Sequence, residues 1–115
     1  MTVSAQGAGT QTATIGTEHV LLDVGVVGSY TFHVDTINMV AGDVLELRVY
    51  QMVLTGGTRR VAYFTRYFDA QATDDLIKIS VPASNELTDA GALRFTLKQT
   101  AGTGRAFPWK VLRYA

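Results

Sequence analysis

The segment VLELRVYQMVLTGGTRRVAYFTRYF, residues 44–68, decides the fold class. Leu45, Leu47, Val49 and Val53 fall on one face, with Gln51 the exception, while Glu46 and Arg48 fall on the other. That period of two sends successive side chains to opposite sides of a pleated strand. Val44, Tyr50 and Met52 make the second face partly apolar, so the strand is expected to be covered on both sides. Gly56 and Gly57 then supply the positive φ that a reversing loop needs, and Val61 to Phe68 is dense in aromatic and β-branched residues. The segment reads as a β-hairpin.

The same alternation recurs on either side. Tyr30, Phe32 and Val34 alternate with Thr31, His33 and Asp35. Ile77, Ile79 and Val81 share a face in a run that stops at Pro82, which has no amide hydrogen to offer a central ladder. Leu93, Phe95 and Leu97 alternate with Arg94, Thr96 and Lys98, and a last strand places Phe107, Trp109 and Val111 opposite Lys110, Leu112 and Tyr114. Asp35 to Gly42 is the one window with near-helical spacing, and its Gly-Asp exit limits it to a single turn. About seven or eight strands with closely spaced turn signals predict an all-β protein, an antiparallel β-sandwich of jelly-roll or Greek-key-like order. Residues 17–115 are expected to form that single domain. Residues 1–16, small, polar and uncharged, are expected to form a flexible N-terminal arm, either a frayed terminus without a role or an extension that orders only against a neighbouring subunit.

Composition narrows the function. Ten Lys and Arg balance ten Asp and Glu among 115 residues, so a general electrostatic hold on nucleic acid or on an anionic membrane is not supported. The absence of cysteine removes disulfides, thiolate metal sites and thiol catalysis. Met1 to Gly16 lacks the basic and apolar pattern of a leader, and no apolar run approaches the roughly 18 residues of a membrane helix. A soluble protein made in the cytoplasm is the expectation.

No catalytic or metal-binding constellation emerges, and no cofactor is expected. His19 and His33 share no motif, and each is read as a hydrogen-bonded surface histidine. Asp74 and Asp75 read as a turn stabilised by side chain to backbone hydrogen bonds. Gly102-Thr-Gly-Arg105 looks like a phosphate loop, but such loops open a helix, and here Phe107-Pro108-Trp109 begins a strand. The glycines are therefore read as turn residues, with Arg105 exposed near the tip and Phe107 and Trp109 on one strand face. Arg59, Arg60 and Arg66 gather around the first hairpin, and Lys98, Arg105, Lys110 and Arg113 around the last. Arginine with Tyr and Trp serves single-stranded nucleic acid or a protein interface, and neutral overall charge favours the interface. The expected protein-interface residues are Arg59, Arg60, Arg66, Arg105, Phe107 and Trp109.

The combination of Leu93 to Trp109 (LRFTLKQTAGTGRAFPW) with Gly42 to Tyr50 (GDVLELRVY) and Arg60 to Tyr63 (RVAY) resembles small virion proteins of tailed bacteriophages that decorate or cement the capsid. The resemblance spans roughly residues 18 to 114 and transfers no functional residue. It implies a non-enzymatic structural protein, synthesised in the host cytoplasm and carried on the capsid surface of the virion. Such a protein binds over junctions of the major capsid protein as a homo-oligomer, a trimer by family analogy. The alternatives are a phage connector, tail or fibre component, or a carbohydrate- or receptor-binding sandwich with Trp109 and Tyr114 at a shallow sugar site.

Overall fold

A computed structural model describes residues 1–115 and contains nine strands and no helix. They are β1 (Val3–Thr12), β2 (Glu18–Val24), β3 (Gly28–Asp35), β4 (Val44–Gln51), β5 (Arg60–Phe68), β6 (Ile77–Ile79), β7 (Ala83–Asn85), β8 (Leu93–Ala101) and β9 (Ala106–Tyr114). One antiparallel sheet has the order β1-β9-β3-β6, with β7 also on β3, and the other has the order β2-β8-β4-β5. Early strands pair in reverse order with late ones: β4 with β5, β3 with β6, β2 with β8 and β1 with β9. The chain is thus one long antiparallel ribbon bent at the β4–β5 hairpin. Wrapping that ribbon brings β9 onto β3 and β8 onto β4 and closes the two sheets face to face.

Period-two patterning fills the space between the sheets. Tyr30, Phe32 and Val34 from β3 meet Leu45, Leu47 and Val49 from β4 and Leu93, Phe95 and Leu97 from β8, all buried. Phe32 and Phe95 cross between sheets in an edge-to-face pair, 5.6 Å between centroids at 64°. β4 is central in its sheet, but no third layer covers its second face. Glu46, Arg48 and Tyr50 line that face, so the expected two-sided cover is replaced by long polar side chains that shield one another.

The N-terminal segment departs from expectation. Val3 to Thr12 is an edge strand that pairs with β9 from Val3↔Tyr114 to Thr12↔Ala106, with a bulge between Ala5 and Gly7. The small residues have a packing reason. A Cβ on Gly7 would lie 3.1 Å from Leu22 and 3.4 Å from the Trp109 ring, and one on Gly9 would lie 3.5 Å from Trp109 Nε1. Trp109 occupies the volume that β1 leaves free, and residues 1–16 are part of the domain rather than an arm.

β6 runs opposite to the simplest reading of its pattern. Ile77, Ile79 and Val81 point outward and are at least half exposed, whereas Lys78 and Ser80 are buried. Lys78 Nζ donates to Asp75 Oδ2 at 2.9 Å and lies 4.7 Å from the centroid of Tyr67, and Ser80 Oγ accepts from Phe32 N. These contacts satisfy the inward polar groups, which an unpaired buried amine would not survive.

Candidate binding face

The residues that sequence analysis marked for contact divide sharply. Phe107 is fully buried in the core, and Trp109 packs against it beneath Gly7 and Gly9. Phe107 is therefore closed to a partner, whereas Trp109 is half-buried. Arg105 is not at an exposed tip: its Nε donates to Asp43 Oδ2 at 2.9 Å, and Asp43 is only 1% exposed. Asp43 Oδ2 also accepts from Val40 N. Burial raises the Asp43 carboxyl, but the hydrogen bonds from Arg105 and Val40 outweigh it and hold the group below the ordinary aspartate value.

The rest of the Thr100–Arg105 loop is organised around Gln99, which is fully buried. Its Nε2 donates to the carbonyls of Ala101 and Thr103, and its Oε1 accepts from Arg105 N. Gly102 has φ +91°, and a Cβ there would collide with the Asp43 carboxylate; one on Gly104 would collide with the Ala13 carbonyl. The phosphate-loop pattern is therefore a clasp joining the β1–β2 turn, the entry to β4 and the β8–β9 loop. The glycines admit close neighbours rather than a ligand.

The other cluster lies open. On the outer face of the β2-β8-β4-β5 sheet, cross-strand register sets Glu18, Lys98, Glu46 and Arg66 in one row. Val20, Thr96, Arg48 and Phe64 form the next, and Asp23, Arg94, Tyr50 and Val61 the third. Glu46, 5% exposed, accepts from Arg48 Nη2 at 2.9 Å and from Arg66 Nε and Nη2 at 2.9 and 2.6 Å. Burial raises its carboxyl, and the hydrogen bonds from Arg66 and Arg48 reverse that effect, leaving it below the ordinary glutamate value. The same two guanidinium groups flank Phe64, at 4.8 and 5.2 Å from its centroid, within the range of cation–π attraction. Phe64 is 43% exposed.

A second polar group lies at the far end of this face. Glu18 Oε2 accepts from Tyr50 Oη at 2.5 Å and Thr96 Oγ1 at 2.7 Å. Burial raises the Glu18 carboxyl, and those two hydrogen bonds, aided by Arg48 and Lys98, bring it below its ordinary value. The Tyr50 phenol is raised by burial and by donation to Glu18. Arg94 makes a two-pronged contact with Asp23, 2.7 and 2.9 Å, and that bond, against a smaller opposing effect of burial, lowers Asp23. Arg59 reaches the Gly91 carbonyl at 3.1 Å and lies 3.9 Å from Asp23. Glu18, Val20, Tyr50, Thr58, Arg59, Arg94 and Thr96 enclose a shallow hollow of about 390 Å3.

Of the expected contact residues, the fold thus brings Arg59 and Arg66 onto one face, leaves Arg60 exposed at the start of β5, buries Phe107, and leaves Arg105 and Trp109 half-buried, Arg105 held by Asp43 and Trp109 packed under β1. Glu18, Glu46, Arg48, Phe64 and Arg94 escaped sequence reasoning as members of one site. Alternation places Glu46 and Arg48 together, but only cross-strand register adds the others.

The two histidines are hydrogen-bonded. His19 Nε2 accepts from Thr14 N, and His33 Nε2 lies 2.8 Å from Thr31 Oγ1. Asp74 and Asp75 lie in a turn. No family model, curated protein or solved structure matches the chain.

Proposed function

We propose that the chain is a non-enzymatic binding protein of a bacteriophage virion that decorates the capsid and strengthens it by bridging major capsid subunits. One observation carries the reading: a preorganised arginine and aromatic face on the β2-β8-β4-β5 sheet. Arg48, Arg59, Arg66, Arg94 and Lys98 stand there against Glu18, Asp23 and Glu46, an excess of two positive charges on a chain whose formal net charge is zero. Phe64 lies between two guanidinium groups already fixed by Glu46, so docking it costs little side-chain entropy. Aromatic and arginine anchors of this kind carry most of the energy of protein interfaces. An acidic surface formed where capsid subunits meet is the complementary partner. A protein that binds the assembled shell and not the separated subunits stabilises the shell by linkage.

The wrapped ribbon order fits a jelly roll, two interlocked Greek keys, and we include that topology in the proposal. Cosedimentation of the purified protein with undecorated shells tests the function. Wild type is expected to pellet with shells at low salt and to weaken as salt rises, and Phe64→Ala is expected to bind at least tenfold more weakly with its melting temperature nearly unchanged. Full binding by Phe64→Ala would remove this face from the interface.

The hollow at Glu18, Tyr50, Arg59 and Arg94 favours one further reading, a saccharide site, since these groups offer hydroxyl partners beside the Tyr50 ring. Trp109, half-buried under β1, does not line it. Glycan-array binding that disappears in Tyr50→Ala would select this reading over capsid attachment.

A further inference from the structure

The four sheet edges are not equally protected against pairing with another chain. β2 carries Glu18 and Asp23 and a bulge between Val20 and Leu22, β5 carries Arg60 and Arg66, and the edge beside β3 is broken into two strands of only three residues each, β6 with the buried Lys78 at its centre and β7. These are the devices by which proteins blunt an exposed edge. β1 has none of the charges: its ten residues include no charged side chain and no proline, and its only irregularity is the bulge between Ala5 and Gly7.

Hydrogen-bond alternation shows which of its backbone groups are free. Thr2 and Ala115 exchange both bonds at one end of the pair, and Ala13 N donates to Arg105 O just past the other. In an antiparallel ladder bonded positions alternate with unbonded ones. Counting back from Ala13 puts Gln11, Gly9 and Gly7 toward β9 and turns the amide and carbonyl of Ala8, Thr10 and Thr12 outward. Thr10 stands opposite Pro108, which has no N–H to give, in agreement with an unbonded position there.

We infer that β1 is the interface through which two copies of this chain join edge to edge, making one continuous sheet across a two-fold axis. The bulge confines the regular stretch to Gly7–Thr12, and the outward groups then allow one centred register. Thr10 meets Thr10 of the second copy on the axis, and Ala8 meets Thr12 on either side. Three bonded pairs supply about six intermolecular hydrogen bonds. A second copy suits this edge because an uncharged edge offers a charged partner strand nothing to recognise, and because identical edges satisfy one another under two-fold symmetry. The zero net charge of the chain puts no long-range repulsion between copies. This pairing competes with the trimer that the virion-protein resemblance implies.

Sedimentation equilibrium at about 100 μM protein, where pairing tighter than micromolar is complete, distinguishes the assemblies. Wild type is expected at twice the chain mass. Thr10→Pro removes an outward amide and Ala8→Lys places a charge on each side of the seam; both are expected at the chain mass with melting curves close to those of the wild-type monomer. As a check independent of variants, exchange at the amides of Ala8, Thr10 and Thr12 is expected to slow as wild-type concentration rises. A wild-type monomer, a trimer, or a dimer that survives both substitutions would overturn the inference, as would exchange at those amides independent of concentration.

Discussion

Two arginine clusters on this molecule look alike in sequence and do opposite things in the fold. Arg105 in the β8–β9 loop turns inward onto Asp43 and helps to close the sandwich, whereas Arg48 and Arg66 on β4 and β5 share Glu46 and remain on the surface around Phe64. The difference lies in the carboxylate. Asp43 precedes its strand, at the end of the sandwich, where Gly102 lets the neighbouring loop come against it. Glu46 lies mid-strand on an outward face and is hidden only by the side chains it binds. The first pair belongs to the core, and the second to a platform.

The largest effects are expected at the clasp. Asp43→Ala leaves Arg105 without its partner and Val40 N without an acceptor, and urea unfolding is expected to show a loss of about 3–5 kcal/mol. Arg105→Glu sets a second carboxylate beside Asp43 and is expected to cost at least as much. A change under about 1 kcal/mol in either variant would erase the distinction between clasp and platform. Gly102→Ala is expected to lose about 2 kcal/mol or more, because it combines a left-handed φ with a collision at Asp43.

Intermediate effects are expected at Glu46. Glu46→Gln keeps the side chain's shape and an amide oxygen that can still accept from an arginine, so it is expected to cost about 1–2 kcal/mol at neutral pH. The pH dependence has a definite sign. Asp43 and Glu46 both titrate below their ordinary values in the fold, so the unfolded chain binds more protons as acid is added. Their contribution is complete above the unfolded carboxylate values of about 4 and is lost as pH falls through the lower folded values. Glu46→Gln is expected to flatten part of that acid limb; an unchanged limb would mean that Glu46 gains nothing from its arginines. The smallest stability effect belongs to Phe64→Ala, expected within about 1 kcal/mol, although it has the largest expected effect on shell binding.

Much of the sandwich is legible in the sequence because β3, β4, β8 and β9 obey strict alternation, and the Gly-Gly pair marks the hairpin at β5. β1 is not, since its small residues carry no apolar period of their own. Their meaning lies in Trp109, about a hundred positions away, whose ring takes the space above Gly7 and Gly9. The inward side of β6 is equally hidden, because Lys78 is buried only through Asp75 and the ring of Tyr67. For the site, sequence singles out Arg59 and Arg66 but misjudges Arg105, since which carboxylate an arginine meets is decided by register and loop packing.

The proposed role predicts that purified virions carry this chain, and quantitative mass spectrometry of those particles tests it most directly. Copy numbers comparable to those of the major capsid protein are predicted. Absence of the chain from the particle, or a handful of copies as in a connector or tail, would contradict it.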